Sequence, residues 1–262
     1  MPLVDRRQFL TLPFVFLLVP VSKVCAAPGP LRARYSADIG ILYALLNLQL
    51  EGSIEQSIDR VAGEYRVRMV GSGLGIAHRM DCAGMLHAGR WKPAWSQSRF
   101  NIKGRESHAE ITYHWDRRQI EYHARGETFL LRRLRVVDDI VPLSDGTHVD
   151  DLMSATLNYV DSRWLAHEDD VHRTLVVRRR RAKDEGPDDI APSYGAEVVP
   201  LELKIVRDRS GEPAGLLDLS NFSSWANPSQ PARILFGPDR RPRLITSSMM
   251  FGTSVTVRIS AI

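Results

Sequence analysis

Apolar and polar residues alternate one by one along much of this chain, and that period restricts the fold more than any other feature of the sequence. Leu46, Leu48 and Leu50 alternate with Asn47, Gln49 and Glu51; Tyr65, Val67 and Met69 alternate with Glu64, Arg66 and Arg68. The pattern returns at Ile111, Tyr113 and Trp115, at Ile120, Tyr122 and Ala124, at Leu175 and Val177, at Leu201, Leu203 and Ile205, and at Val255, Val257 and Ile259. A period of two places one set of side chains on each face of an extended strand. One apolar face and one wet face argue for antiparallel strands, because parallel strands buried on both faces read as continuous apolar runs. Short polar connections agree. Asp116-Arg117-Arg118 suits a hairpin in which Asp116 pairs with Gln119, Tyr113 faces Tyr122, and Trp115 faces Ile120. Asp208–Gly211 and Pro238–Pro242 read as further turns. The prediction is a mainly β chain whose roughly ten strands curl or close to hide their apolar face.

One stretch breaks the alternation. Thr147–Trp164 reads as a helix, with Thr147 three residues before Asp150 in a capping-box spacing and Asp150 and Asp151 in the first turn. Leu152, Ala155, Thr156, Tyr159, Val160 and Arg163 follow the i, i+3, i+4, i+7 spacing, which predicts one mostly apolar stripe. A helix over about 148–164 packed on the concave side of a strongly curved antiparallel sheet, or of an incomplete barrel, satisfies both patterns.

The 262 residues suit one large β domain or two small ones. Residues 1–27 read as an export signal: Arg6 and Arg7 precede the apolar Phe9–Val21, and Val24-Cys25-Ala26-Ala27 offers small residues for cleavage near Ala26 or Ala27. Asp5–Leu10 also resembles a twin-arginine signal, with Asp where Ser or Thr is usual, so both export routes remain open. Val24 before Cys25 argues against lipidation. The expectation is a periplasmic protein with one domain over 28–262. Residues 1–27 hold three positive charges against one negative, so their removal takes the net charge from +4 to +2 and leaves little basis for nucleic-acid binding. Cys82 is then the only cysteine, which excludes an internal disulfide and a cysteine-based zinc site. Ala182–Gly195, acidic and rich in Pro and Gly, reads as a flexible loop.

No motif commits the chain to chemistry. Gly71-Ser72-Gly73-Leu74-Gly75 lacks the spacing of a phosphate loop and reads as a flexible strand connection or bulge. His167 and His172 are five apart, which turns them away from each other on a helix and suits an acidic loop before a strand. His108, His114 and His123 fall on polar strand faces. Arg178–Arg181 reads as a solvated strand end that discourages edge pairing. Among the aromatics, Trp95, Tyr113, Trp115, Tyr122 and Tyr159 are candidates to line an apolar cavity between helix and sheet, with ordinary core packing as the alternative. No cofactor, metal or catalytic residue is predicted.

Short segments in order carry a family resemblance: Tyr35-Ser36-Ala37 with Gly40, Gly89-Arg90-Trp91-Lys92-Pro93, Asp151-Leu152-Met153-Ser154-Ala155, and Ile234–Leu244 followed by Gly252. Together they resemble the bacterial domain-of-unknown-function family 3108 over about residues 33–260. The resemblance implies an exported β-rich protein without established catalytic residues. In architecture alone the chain is also similar to the outer-membrane lipoprotein carriers. The functional expectation is a non-enzymatic envelope protein that binds a hydrophobic or lipid-linked ligand or an envelope partner, with peripheral membrane contact left open. The alternatives are an envelope scaffold without a small ligand and a cell-wall or polysaccharide hydrolase.

Overall fold

The structure, a computed structural model, describes residues 31–41, 46–128, 131–182, 185, 189–190, 195–207, 211–222, 226–227, 229–249 and 252–261. The expected leader, 1–27, lies outside the described residues, as does most of the loop expected over 182–195.

The first half of the chain is a run of antiparallel hairpins: β1 (Leu31–Ile41), β2 (Leu46–Asp59), β3 (Glu64–Gly73), β4 (Ile76–His87), β5 (Arg90–Ile102), β6 (Arg105–His114), β7 (Gln119–Glu127) and β8 (Leu134–Pro142). Helix α1 (Leu152–Val160) follows, then β9 (Leu165–Ala166), β10 (Val171–Arg179), β11 (Ala196–Arg207), β12 (Pro213–Leu217), β13 (Ala232–Phe236), β14 (Pro242–Met249) and β15 (Thr253–Ala261). All the strands join one 15-stranded sheet in the order β8-β7-β6-β5-β4-β3-β2-β1-β15-β14-β13-β12-β11-β10-β9. The first and last strands meet in the middle, and the free ends of the sheet are the two strands that flank α1.

The alternation is read out directly in the register. Ala37 sits between Leu50 on β2 and Val257 on β15, and all three side chains are buried on the concave face. Tyr35 lies between Gly52 and Ile259, and Gly52 in turn pairs with Gly71. A Cβ on Gly52 or on Gly71 would collide with the Tyr35 side chain. The two glycines therefore form a cross-strand slot for this ring. Tyr65 occupies the equivalent place over Gly84. Aromatic rings laid over cross-strand glycines let the sheet bend tightly without leaving a void. Gly71 and Gly73 are thus strand residues, and the turn itself is Leu74-Gly75, both at positive φ.

The β6–β7 hairpin departs from its expected register by two residues. Tyr113 faces Ile120 and Ile111 faces Tyr122, because the turn is the four residues Trp115–Arg118 with Arg118 in the left-handed region. A shift of two preserves which side chains point inward.

Helix α1 is shorter than its sequence signal. It starts at Leu152, not at 147 or 148, and ends at Val160 rather than Trp164. The N-cap is Asp151, whose carboxylate accepts from the Ser154 amide at 2.6 Å while the Ser154 hydroxyl accepts from the Asp151 amide at 3.0 Å. Asp150 cannot enter the helix, because its amide donates to the Leu175 carbonyl on β10 (2.8 Å). At the other end the Asp161 amide still donates to the Leu157 carbonyl, but Ser162 turns left-handed. Met153–Tyr159 are all buried, so α1 is enclosed on every side rather than along one stripe.

The free ends of the sheet meet through side chains around this helix. Tyr122, Val137 and Ala196 form one buried cluster; Tyr113, Ile120 and Val149 form another, with Val177 and Val198 packed against it. The Ala196 amide donates to the Asp139 carboxylate across the seam at 2.6 Å. The result is a strongly curved, barrel-like open sheet with the helix inside the gap.

Candidate functional site

Between the N-terminal end of α1 and the concave sheet the core is not filled. A cavity of about 380 Å3 remains, with walls that include Met80, Ile111, Val137, Val176, Leu201 and Ile245. Ser107 and Tyr113 on β6 both line it. They stand six positions apart, roughly 20 Å along the strand, and the cavity wall follows that stretch. Its volume and apolar lining are those of a small-ligand site. One end is deep and the other opens near Glu127 and Arg125, where exposure rises.

The deep end is polar and its groups are largely consumed by structure. Asp150 is 1% exposed. Its Oδ1 accepts from His148 Nε2 (2.8 Å), Ser154 Oγ (2.8 Å) and Asn158 Nδ2 (2.7 Å), and its Oδ2 from Thr174 Oγ1 (2.5 Å), with Arg90 at 3.5 Å. A buried carboxylate with this many donors is a cross-link between helix, strand and loop. Asn158 continues it. Its Nδ2 donates to the Trp91 carbonyl (2.8 Å) and its Oδ1 accepts from the Trp91 amide (2.9 Å), so one side chain stands in for a neighbouring strand beside β5.

Asp151 is different. Burial, and then the charge of Asp150, push its carboxyl up from 3.8 to about 6, against the Ser154 and Tyr65 hydrogen bonds that favour the charged form. The Tyr113 hydroxyl is buried beside it with no hydrogen-bond partner among the described residues, and burial pushes the Cys82 thiol well above its ordinary range. Both side chains line the cavity.

The open end is basic. Arg135, Arg178, Arg179 and Arg181 all line it, with side-chain exposures between 13% and 18%. Three of them surround Glu185, whose carboxylate is fully enclosed. Arg179 grips it with both terminal nitrogens, one at 2.9 Å, and Arg135 and Arg181 stand at 3.5 and 3.8 Å. Burial alone would raise the Glu185 carboxyl; Arg179 above all holds it below the usual range. Arg178 pairs with Glu197 at 2.8 Å. The expectation of a solvated arginine run is therefore corrected: only Arg180 extends into solvent, and the other three are drawn in by Glu185 and Glu197.

Of the aromatic candidates, Tyr113 and Tyr122 line the cavity and three do not. Trp95 points outward and is 37% exposed. The cause is a bulge in β5: Gly84 pairs with Pro93 and Ala83 with Trp95, so Ala94 is an extra residue that reverses the alternation after Trp91 and Pro93. Ser96, Ser98 and Phe100 take the inward positions instead. Trp115 lies at the seam, stacked on Tyr113 and on His148 at 5.9 Å each, with its indole N–H on the Pro93 carbonyl (2.7 Å). Tyr159 faces away from the cavity toward Phe236, Trp164 and His172, under the Arg240 guanidinium at 4.5 Å. Met80, Cys82 and Val137 carry the inward strand period but had no signal to distinguish a cavity wall from packed core. The histidines are dispersed: His108 contacts Gln97, His114 contacts Glu121 and His123 contacts Asp138. Among the described residues no histidine, cysteine and carboxylate groups converge as a metal site.

No family model matches this chain, and no curated protein does. The resemblance to family 3108 therefore finds no support beyond the coarser feature it implied, a β-rich domain. Among solved structures the chain is similar to a crystal structure of a beta-barrel-like protein of domain of unknown function DUF1849 from Brucella abortus. The identity is 11%, the alignment covers 89% of this chain and 98% of that one, and the TM-score is 0.38.

Proposed function

We propose that this protein is an exported, non-catalytic component of the cell envelope that holds a hydrophobic group, such as an acyl chain, in the cavity between α1 and the sheet. The observation that carries this reading is an apolar space of about 380 Å3 kept open inside a fold whose other inward side chains are packed. Its length suits a chain-like ligand. The leader motif supports export, and the structural use of Asp150 favours binding over hydrolysis: a catalytic carboxylate needs an uncommitted oxygen facing substrate, and Asp150 has none. Native mass spectrometry after gentle extraction tests the reading, together with Ala124→Phe, which adds a ring to the cavity wall. Wild-type protein is expected to carry or take up a hydrophobic ligand, and Ala124→Phe to lose it without losing its fold. Wild type that stays empty and ignores added fatty acids refutes the reading.

A scaffold role has one observation in its favour. The outer face of β8, at a free end of the sheet, exposes Leu134, Val136 and Ile140. A partner held there would be lost in Val136→Lys and retained in Ala124→Phe.

A further inference from the structure

We infer that the cavity takes amphiphiles with an anionic head, carboxylate or phosphate, and seats that head on Arg178 and Arg181 at the open end. This deepens the ligand-binding reading above and rests on it. The two ends of the cavity carry opposite character. Asp150 and Asp151 stand at the deep end; Arg135, Arg178, Arg179 and Arg181 stand at the mouth. An anionic head placed deep would face two carboxyl groups in a poorly screened interior, whereas at the mouth it meets guanidinium groups. The tail then occupies the apolar length between them.

The mouth also has donors to offer. Four arginines converge there, with Glu185 beside Arg135, Arg179 and Arg181 and with Glu197 beside Arg178. Glu127, also at the mouth, is engaged by Arg132 at 2.7 Å. The Nε donors of Arg178 and Arg181 are buried and make no hydrogen bond among the described residues, although the Arg181 Nε stands 3.8 Å from the Glu185 carboxylate. A buried guanidinium N–H without an acceptor is costly, and an oxygen-rich anion is the acceptor such donors fit best. Arg181 otherwise donates to the Ser220 carbonyl (2.9 Å); burial first of all disfavours its charge, Glu185 supports it, and Arg179, Arg178 and Arg135 oppose it. An added negative charge at the mouth would stand beside Glu185 in balancing these guanidinium groups.

The test uses delipidated protein and displacement of the neutral probe N-phenyl-1-naphthylamine by dodecanoate, dodecyl phosphate and dodecan-1-ol, which share one tail. Either anion or both should bind about tenfold or more tighter than the alcohol, the scale of a charge-assisted hydrogen bond. The stronger of the two anions identifies the head as a carboxylate or a phosphate. In Arg178→Gln/Arg181→Gln the preference should vanish while dodecan-1-ol binds as before, which also shows that the variant is folded; Arg178→Lys/Arg181→Lys should keep part of it. Equal binding of alcohol and anions, or a preference that survives in the glutamine variant, overturns the anion site and leaves the cavity reading standing. Failure of all three compounds to displace the probe overturns the cavity reading itself.

Discussion

Replacing Asp151 by asparagine removes a buried titration while keeping a helix cap. Asparagine caps as well as aspartate, and its side-chain oxygen can accept from the Ser154 amide in the same place. What changes is the pH dependence. In the unfolded chain this carboxyl titrates at its ordinary 3.8; in the folded protein it titrates at about 6. Below pH 3.8 both states are protonated and the stability contributed by the neutral, buried carboxyl is fully present. As pH rises through 6 that contribution is lost, because the folded state must then ionise a group that is 6% exposed. A displacement of roughly two on the pH scale corresponds to ~3 kcal/mol. Loss of a negative charge at the helix N-terminus opposes this by only about 0.3–1 kcal/mol, so the titration dominates. Urea unfolding of wild type and Asp151→Asn at pH 4.5 and pH 8 isolates the effect, since other titrating groups are common to both. About a third of that window is already lost at pH 4.5, so the stability of the variant relative to wild type should rise by ~2 kcal/mol between the two pH values, with unchanged m. A difference that is flat with pH, or falls, refutes the assignment of a neutral-leaning carboxyl to this site.

Two further outcomes follow from the packing. Asn158→Leu leaves the buried amide and carbonyl of Trp91 without partners. At ~1–3 kcal/mol for each orphaned group, the variant should lose about 2–6 kcal/mol in urea unfolding; a loss below ~1 kcal/mol would mean that the helix is not pinned to β5 through this side chain. Gly52→Ala drives a methyl into the Tyr35 ring and the Val70 carbonyl oxygen. Overpacking of this kind costs ~1–3 kcal/mol, and Gly52→Ala combined with Tyr35→Leu should recover part of the thermal stability that Gly52→Ala alone loses.

How much of the molecule is legible depends on the range of the interaction concerned. The inward set on β2, β3, β7 and β15 is readable because side-chain direction along a strand follows from backbone geometry one residue at a time. The helix is readable as a helix, yet its start is displaced because Asp150 is claimed by β10, a strand that begins 21 residues later at Val171. Trp95 is misplaced by one extra residue, Ala94, whose effect reverses every side chain after it and whose only visible sign is in the pairing with β4. The arginine run reads as solvated because charge is normally left in water; Glu185 provides the internal partner that overrides this rule.

The sequence by itself determined the antiparallel, half-buried strands and the presence of one helix after β8. These are local matters of the period at which apolar residues recur. Only the tertiary structure decided that β1 and β15 meet in the middle of the sheet, that the free ends close around α1, and that a cavity with an acidic floor and a basic mouth remains between them. An empty volume is the mismatch between surfaces far apart in the chain, here β4–β8 on one side and β10–β14 on the other, and no short stretch of sequence carries that difference.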